Sequence, residues 1–221
     1  MKQRIGVFDS GVGGLSVVNA IKDAFPDAEI IYVEDRDNVP YGSKSADELY
    51  KLVTPILQQL WPRCDVIVVA CNTVTTNLIS ELRQVIPIPL IGMEPMVKPA
   101  AARTKSGTIV VCATPATLAS ERYRWLKETY AQGVTVLEPD CSEWALMVES
   151  NRMERETVHK TVEEVIAQGA DVIVLGCTHY HWIEEIIRAD ADGRAVILQP
   201  EAAVIMQLRK TLASSGASSN P

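Results

Sequence analysis

One segment of this chain occurs twice in similar form, and that repeat constrains the fold more than any other feature. Asp65-Val66-Ile67-Val68-Val69-Ala70-Cys71-Asn72-Thr73 aligns with Asp171-Val172-Ile173-Val174-Leu175-Gly176-Cys177-Thr178-His179. The two cysteines stand 106 positions apart, close to half of the 221 residues. A second register agrees: Ile5-Gly6-Val7-Phe8-Asp9-Ser10 matches Ile109-Val110-Val111-Cys112-Ala113-Thr114 at an offset of 104. Glu29–Val33 meets Val134–Glu138 near the same offset. Three matches in order, at nearly one spacing, predict a duplicated α/β unit.

Local patterns fit that unit. Val/Ile-rich runs at 4–8, 29–33, 65–70, 88–92, 108–112, 134–137, 171–175 and 195–198 read as buried parallel strands. Helical stretches lie between them, at 14–24, 45–60, 74–85, 95–103, 116–131, 142–149, 154–168, 180–188 and 201–213. The alternation predicts an α/β fold of two pseudo-symmetric, doubly wound parallel-sheet subdomains with the active site in the cleft between them. Glu94-Pro95 marks the boundary, so residues 1–95 form the first subdomain and 96–198 the second. Residues 199–221 return to the first, ending in a small, polar tail from Ser214 that is expected to fray.

Composition excludes several function classes. A net charge of −7 with no basic stripe argues against nucleic acid or an anionic membrane as the main partner. The longest apolar runs are about eight residues, against roughly 20 needed to span a bilayer. Met1-Lys2-Gln3-Arg4 enters a short apolar run and then Asp9-Ser10-Gly11, unlike a secretory leader. The five cysteines are odd in number and contain no CxxC pair, which points to free thiols in a reducing cytoplasm. No His/Cys/Asp set has metal-ligand spacing, so no metal is expected.

Ligands of open α/β sheets sit beyond the carboxyl ends of the strands, where the polar clusters of this chain fall. A single cysteine after Val-Val-Ala would ordinarily be core packing. Repetition just before a helix start changes that, because the dipole and free N–H groups there favour thiolate. Two thiols facing one cleft suit removal of a proton from one face of a carbon and delivery to the other. Cys64, Cys112 and Cys141 lack this symmetry and read as structural. In Asp9-Ser10-Gly11-Val12-Gly13-Gly14 the glycines permit tight turning, and the amides opening the next helix can hold a carboxylate. Asp9 could polarise a thiol or an ammonium, and Ser10 could donate to a carboxylate. A nucleotide loop is the rival reading, but the Walker lysine and the dinucleotide spacing are both missing. Tyr41 and Gly42 lie in a loop at the second strand's end; Thr114 and Thr117 read as an N-cap and a first-turn residue able to donate hydroxyls. His179, two positions after the second thiol, could lower its pKa as a cation. Glu149 reads from the residues alone as a solvated helix end.

Together these residues resemble the glutamate racemases of the aspartate/glutamate racemase superfamily. The matching segments are Ile5 to Leu15, Val39 to Ser45, Ala70-Cys71-Asn72-Thr73 and Leu175-Gly176-Cys177-Thr178-His179-Tyr180. The resemblance implies a cofactor-independent interconversion of L- and D-glutamate that supplies D-glutamate for peptidoglycan, in a cytoplasmic homodimer. By position, Cys71 corresponds to the thiol acting on D-glutamate and Cys177 to the one acting on L-glutamate. Asp9 and His179 correspond to assisting groups, and Glu149 to an acidic group behind the second thiol. Ser10, Tyr41, Gly42, Asn72, Thr73, Thr114, Thr117 and Thr178 correspond to substrate-binding positions, together with Asp9 and His179.

The chain departs from the family pattern at four places: His181-Trp182 where Pro-Leu is usual, Val74-Thr75-Thr76 in place of small residues, Glu34 for Gly, and Met96 for Gly. It is also short for the family, with the deficit around 139–165. These changes are expected to crowd the cleft or its supports. The alternatives are a sibling racemase of another acidic amino acid or a hydantoin, and a catalytically dead binder of acidic metabolites. A phosphate-binding hydrolase using Asp9 as nucleophile is more distant.

Overall fold

The computed structural model describes residues 2–217, with side chains through 214. Among the described residues eight strands form two four-stranded parallel sheets. The first holds β1 (Arg4–Asp9), β2 (Glu29–Glu34), β3 (Val66–Val69) and β4 (Leu90–Gly92) in the order β2-β1-β3-β4. The second holds β5 (Thr108–Ala113), β6 (Thr135–Leu137), β7 (Val172–Gly176) and β8 (Val196–Leu198) in the order β6-β5-β7-β8. The orders are the same, as a duplicated unit requires. The Val/Ile runs are continuous rather than alternating because both faces are covered: Val66 to Val69 are each fully buried.

Helices α1 (Leu15–Ala24), α2 (Ala46–Leu60), α3 (Asn72–Val85) and α4 (Val97–Arg103) connect the first strands. α2 begins at a capping box, with Ser45 accepting from the Glu48 N–H and Glu48 accepting from the Ser45 N–H. The single helix expected at 116–131 is two, α5 (Pro115–Ala119) and α6 (Glu121–Tyr130). Ser120 divides them: its backbone is extended and its hydroxyl accepts from the Tyr123 N–H, starting α6 afresh. α7 (Trp144–Glu149) and α8 (Arg155–Ala167) follow. The helix expected at 180–188 opens as a 3-10 turn over Thr178–Ile183 and becomes α9 only at Glu184–Ala191. The Tyr180 hydroxyl, fixed on the Cys141 carbonyl at 2.6 Å, holds that turn to the core.

The last helix, α10 (Glu201–Ala217), continues past Ser214 into the tail expected to fray; residues 218–221 lie outside the described region. Its Val204, Leu208 and Leu212 pack with Ile5, Val7 and Val68 of the first sheet. Among the described residues no helix is long and apolar enough to cross a membrane.

Candidate active site

In each sheet the first-entered strand lies beside the third, and the chain leaves these neighbours in opposite directions, which opens a crevice at their carboxyl ends. In the first sheet this point joins the ends of β1 and β3, hence Asp9-Ser10 and Cys71-Asn72-Thr73. In the second it joins β5 and β7, hence Thr114 and Cys177-Thr178-His179. The two points converge. A cavity of about 90 Å³ is lined by Ser10, Cys71, Asn72 and Thr73 from one unit and by Thr114, Cys177, Thr178 and His179 from the other. Tyr41, Gly42 and Glu149 complete its expected wall. Asp9 and Thr117 stand behind it.

Cys71 is the N-cap of α3, and its Sγ–H donates to the Ser10 hydroxyl at 3.7 Å. Burial, reinforced by the charges of Asp9 and Cys177, pushes this thiol up to about 12, against the Val74 N–H and the Ser10 hydroxyl. Asp9 makes its hydrogen bonds away from the sulfurs. It is fully buried, accepts the Gly14 N–H at 2.7 Å and receives the Thr178 hydroxyl at 3.2 Å. Burial raises its pKa, opposed by His179 and by these hydrogen bonds.

Cys177 has a different neighbourhood. Its Sγ lies 3.7 Å from His179 Nδ1, and the far ring nitrogen of His179 is 2.6 Å from Glu149 Oε1. Burial alone would pull His179 down, but the hydrogen bonds to Cys177 and Glu149 and the charges of Cys177 and Asp9 outweigh it, leaving it raised to about 10. Burial raises Glu149 in turn, yet His179, the Val12 N–H at 2.8 Å and the Arg36 guanidinium at 3.7 Å leave its pKa lowered.

Glu149 is therefore no solvated helix end: its side chain is 9% exposed. A signal for it existed in the sequence. Ser142, Ala145, Leu146 and Glu149 all line the cavity, at the i, i+3, i+4, i+7 spacing of one helix face. Arg36 and Tyr32 carried no such signal. The Tyr32 hydroxyl donates to the Gly11 carbonyl at 2.6 Å, steadying the loop that meets Glu149.

The glycine loop also corrects an expectation. The amides of Val12 and Gly14 hold the protein's own carboxylates, Glu149 and Asp9, rather than standing open to a ligand. Space here requires glycine: a Cβ on Gly13 would fall 2.7 Å from the His179 backbone nitrogen, one on Gly14 would fall 2.5 Å from Asp9 Cβ, and one on Gly11 would displace the Glu149 carboxylate, 1.8 Å away.

Hydroxyls gather on the opposite wall. Thr114 caps α5, and its Oγ1 lies 2.8 Å from Thr73 Oγ1 and 3.0 Å from Thr117 Oγ1. Asn72 donates to the Met93 carbonyl at 2.9 Å, while its Oδ1 is buried without a hydrogen-bond partner. The Tyr41 hydroxyl donates to Asp35 at 2.6 Å. None of the family departures lines the cavity. Thr75 and Thr76 bond backbone carbonyls at Val69 and Asn72, His181 is buried against Ser16 and Glu201, and Trp182 is half exposed.

A family model described as Asp/Glu/hydantoin racemase matches residues 8–207. The chain belongs to that family. Within the racemases, the glutamate racemase of Herpetosiphon aurantiacus is 40% identical over 218 residues, covering 96% of this chain and 86% of that protein. The crystal structure of Escherichia coli glutamate racemase with L-glutamate and the activator UDP-MurNAc-Ala superposes with a TM-score of 0.89 at 28% identity, covering 96% of this chain and 83% of that one. The Francisella tularensis glutamate racemase in complex with D-glutamate gives 0.80 at 27% identity, covering 97% and 82%. This racemase thus shares its architecture with structures that hold either enantiomer.

Proposed function

We propose that this chain is an isomerase, a cofactor-independent glutamate racemase working by two thiols. The observation that carries the reading is that Cys71 and Cys177, one from each sheet, line a single small cavity. From L-glutamate, Cys177 takes the Cα proton on one face and Cys71, held as the thiol by burial, delivers its own proton to the other. The product is D-glutamate, with the proton now on Cys177 and the negative charge on Cys71. The reverse turnover begins from that state, and solvent restores the first. Both faces of one carbon are served.

Without an electron sink, the developing carbanion must be stabilised by fixed hydrogen bonds. Ser10, Thr73, Thr114 and Thr178 suit the substrate carboxylates, and the unpartnered Asn72 Oδ1 suits its ammonium. Tyr41 and Gly42 close the wall, with Thr117 setting the threonine group. Asp9 supports Thr178 and the glycine loop, while Glu149 orients His179 beside Cys177.

The kinship supports D-glutamate supply for peptidoglycan in the cytoplasm and a homodimeric state. The partition into 1–95 plus 199–221 and 96–198 is supported by the packing of α10 on the first sheet. Racemases of aspartate or hydantoins and a catalytically dead binder are the readings it displaces. The test is a panel of L-glutamate, L-aspartate and a hydantoin in D₂O, followed by NMR and circular dichroism. Glutamate alone should lose its optical signal and take deuterium at Cα; unchanged glutamate would overturn the reading.

A further inference from the structure

His181 belongs to no part of that mechanism, yet its side chain ties the second unit to two helices that pack on the first sheet. Its side chain is 2% exposed, and Nδ1 lies 2.6 Å from Glu201 Oε1 and 3.1 Å from Ser16 Oγ. A nitrogen facing a carboxylate carries the proton, so Nδ1–H is the donor; the other ring nitrogen is buried without a partner. One edge of the ring therefore does all the holding. It joins three elements: the 3-10 turn that follows Cys177, the first turn of α1, and the first turn of α10. Both helices pack on the first sheet through Val17, Val18, Ile21, Val204 and Leu208. Ser16 also donates to the Gly13 carbonyl at 3.1 Å, and a Cβ on Gly13 would fall 2.7 Å from the His179 backbone nitrogen.

We propose that His181 is a positioning residue: by clasping Glu201 and Ser16 it holds the turn bearing Cys177 and His179 in register with the first subdomain. The inference rests on the racemase reading. None of the three clasp residues lines the cavity, so the clasp acts on where the sulfur stands and leaves the substrate's contacts alone. It predicts a loss in kcat with KM preserved.

His181→Leu removes the donor, whereas His181→Asn places an amide N–H where Nδ1 stood. Steady-state racemisation of both glutamate enantiomers should show kcat about 10-fold lower in His181→Leu with KM within about twofold, inside the ~10²-fold that an ångström of misplacement can cost. His181→Asn should recover most of that loss. Should His181→Leu fail to fold, Glu201→Ala removes the acceptor from the α10 side and should lower kcat in the same sense. Amide hydrogen exchange over 178–183 reads the clasp independently of activity and should quicken in His181→Leu. Wild-type kcat in a folded His181→Leu, equal losses in Leu and Asn, or unchanged exchange would overturn the clasp. A wild-type protein that leaves glutamate untouched while exchange quickens would instead overturn the racemase reading.

Discussion

The two halves of this molecule share strand order, connection pattern and the placement of a cysteine after the third strand of each unit, but they surround that cysteine differently. Cys71 sits at the start of a 14-residue helix with one hydroxyl, Ser10, beside its sulfur and the carboxylate of Asp9 nearby. Cys177 enters a 3-10 turn and has a histidine at 3.7 Å, itself braced by Glu149. Duplication preserved the scaffold while the side chains at equivalent strand ends diverged. Asp9-Ser10 faces Ala113-Thr114 across the repeat, and Asn72-Thr73 faces Thr178-His179. A reaction with two mirror-related substrates does not need mirror-related supports. On the two-thiol reading it needs one sulfur that holds its proton and another that can receive one.

The largest effect follows from the point at which the halves are alike. In the proposed mechanism each turnover uses both sulfurs, so Cys71→Ser and Cys177→Ser should each reduce racemisation of either enantiomer by at least the ~10²–10⁴-fold expected on losing a general acid or base. Circular dichroism of L- and D-glutamate reads both directions. A variant that still racemises at a wild-type rate would mean that its thiol is not used.

All eight strands stand within two residues of their expected positions, because a fully covered parallel strand must be a short apolar run and few other elements look like one. The repeat made the second sheet as legible as the first. Helix ends were less so. Ser120 offers its hydroxyl as a cap, and whether it ends one helix or lies inside one is decided by the packing of Tyr123 behind it. Cys71, Cys177 and their neighbours were legible because they sit at strand ends, where topology alone exposes side chains. Glu149 was legible only as one member of an inward helix face; its partners Val12 and Arg36 were not, because they lie far away in sequence: Val12 and Glu149 are 137 positions apart, and only the docking of the two units brings them together.

The brace behind Cys177 gives the next test of asymmetry. Glu149→Gln keeps the shape but removes the charge that holds His179 as a cation, and kcat should fall about 10–100-fold, as when an outer partner of a reacting group is lost. The pH dependence has a definite sign. His179 is raised to about 10, above its unfolded value near 6.5. Its contribution to stability is therefore fully present below about pH 6.5 and is lost as the pH rises through about 10. Glu149 is lowered, so its contribution holds above its unfolded pKa and is lost as the pH falls through its folded one. Thermal melts between pH 6 and 10.5 should show a steeper alkaline decline in the wild-type protein than in Glu149→Gln. Parallel curves would detach Glu149 from the titration of His179.

The smallest effect should come from the other half. Ser10→Ala removes the one hydroxyl bonded to Cys71, leaving that thiol to burial and to Asp9 and so still harder to ionise. A single neutral hydrogen bond is worth about 0.5–1.5 kcal/mol, or roughly 2–12-fold in rate. The loss should be visible in kcat, with a rise in KM added because Ser10 also faces the cavity. Steady-state kinetics on both enantiomers, beside Glu149→Gln at the same pH, makes the comparison direct. If Ser10→Ala costs as much as Glu149→Gln, the two sulfurs are supported equally and the asymmetry between the halves is one of shape alone. If it costs several-fold less, Cys71 relies on the fold around it, and Cys177 on a charged relay that the first half never acquired.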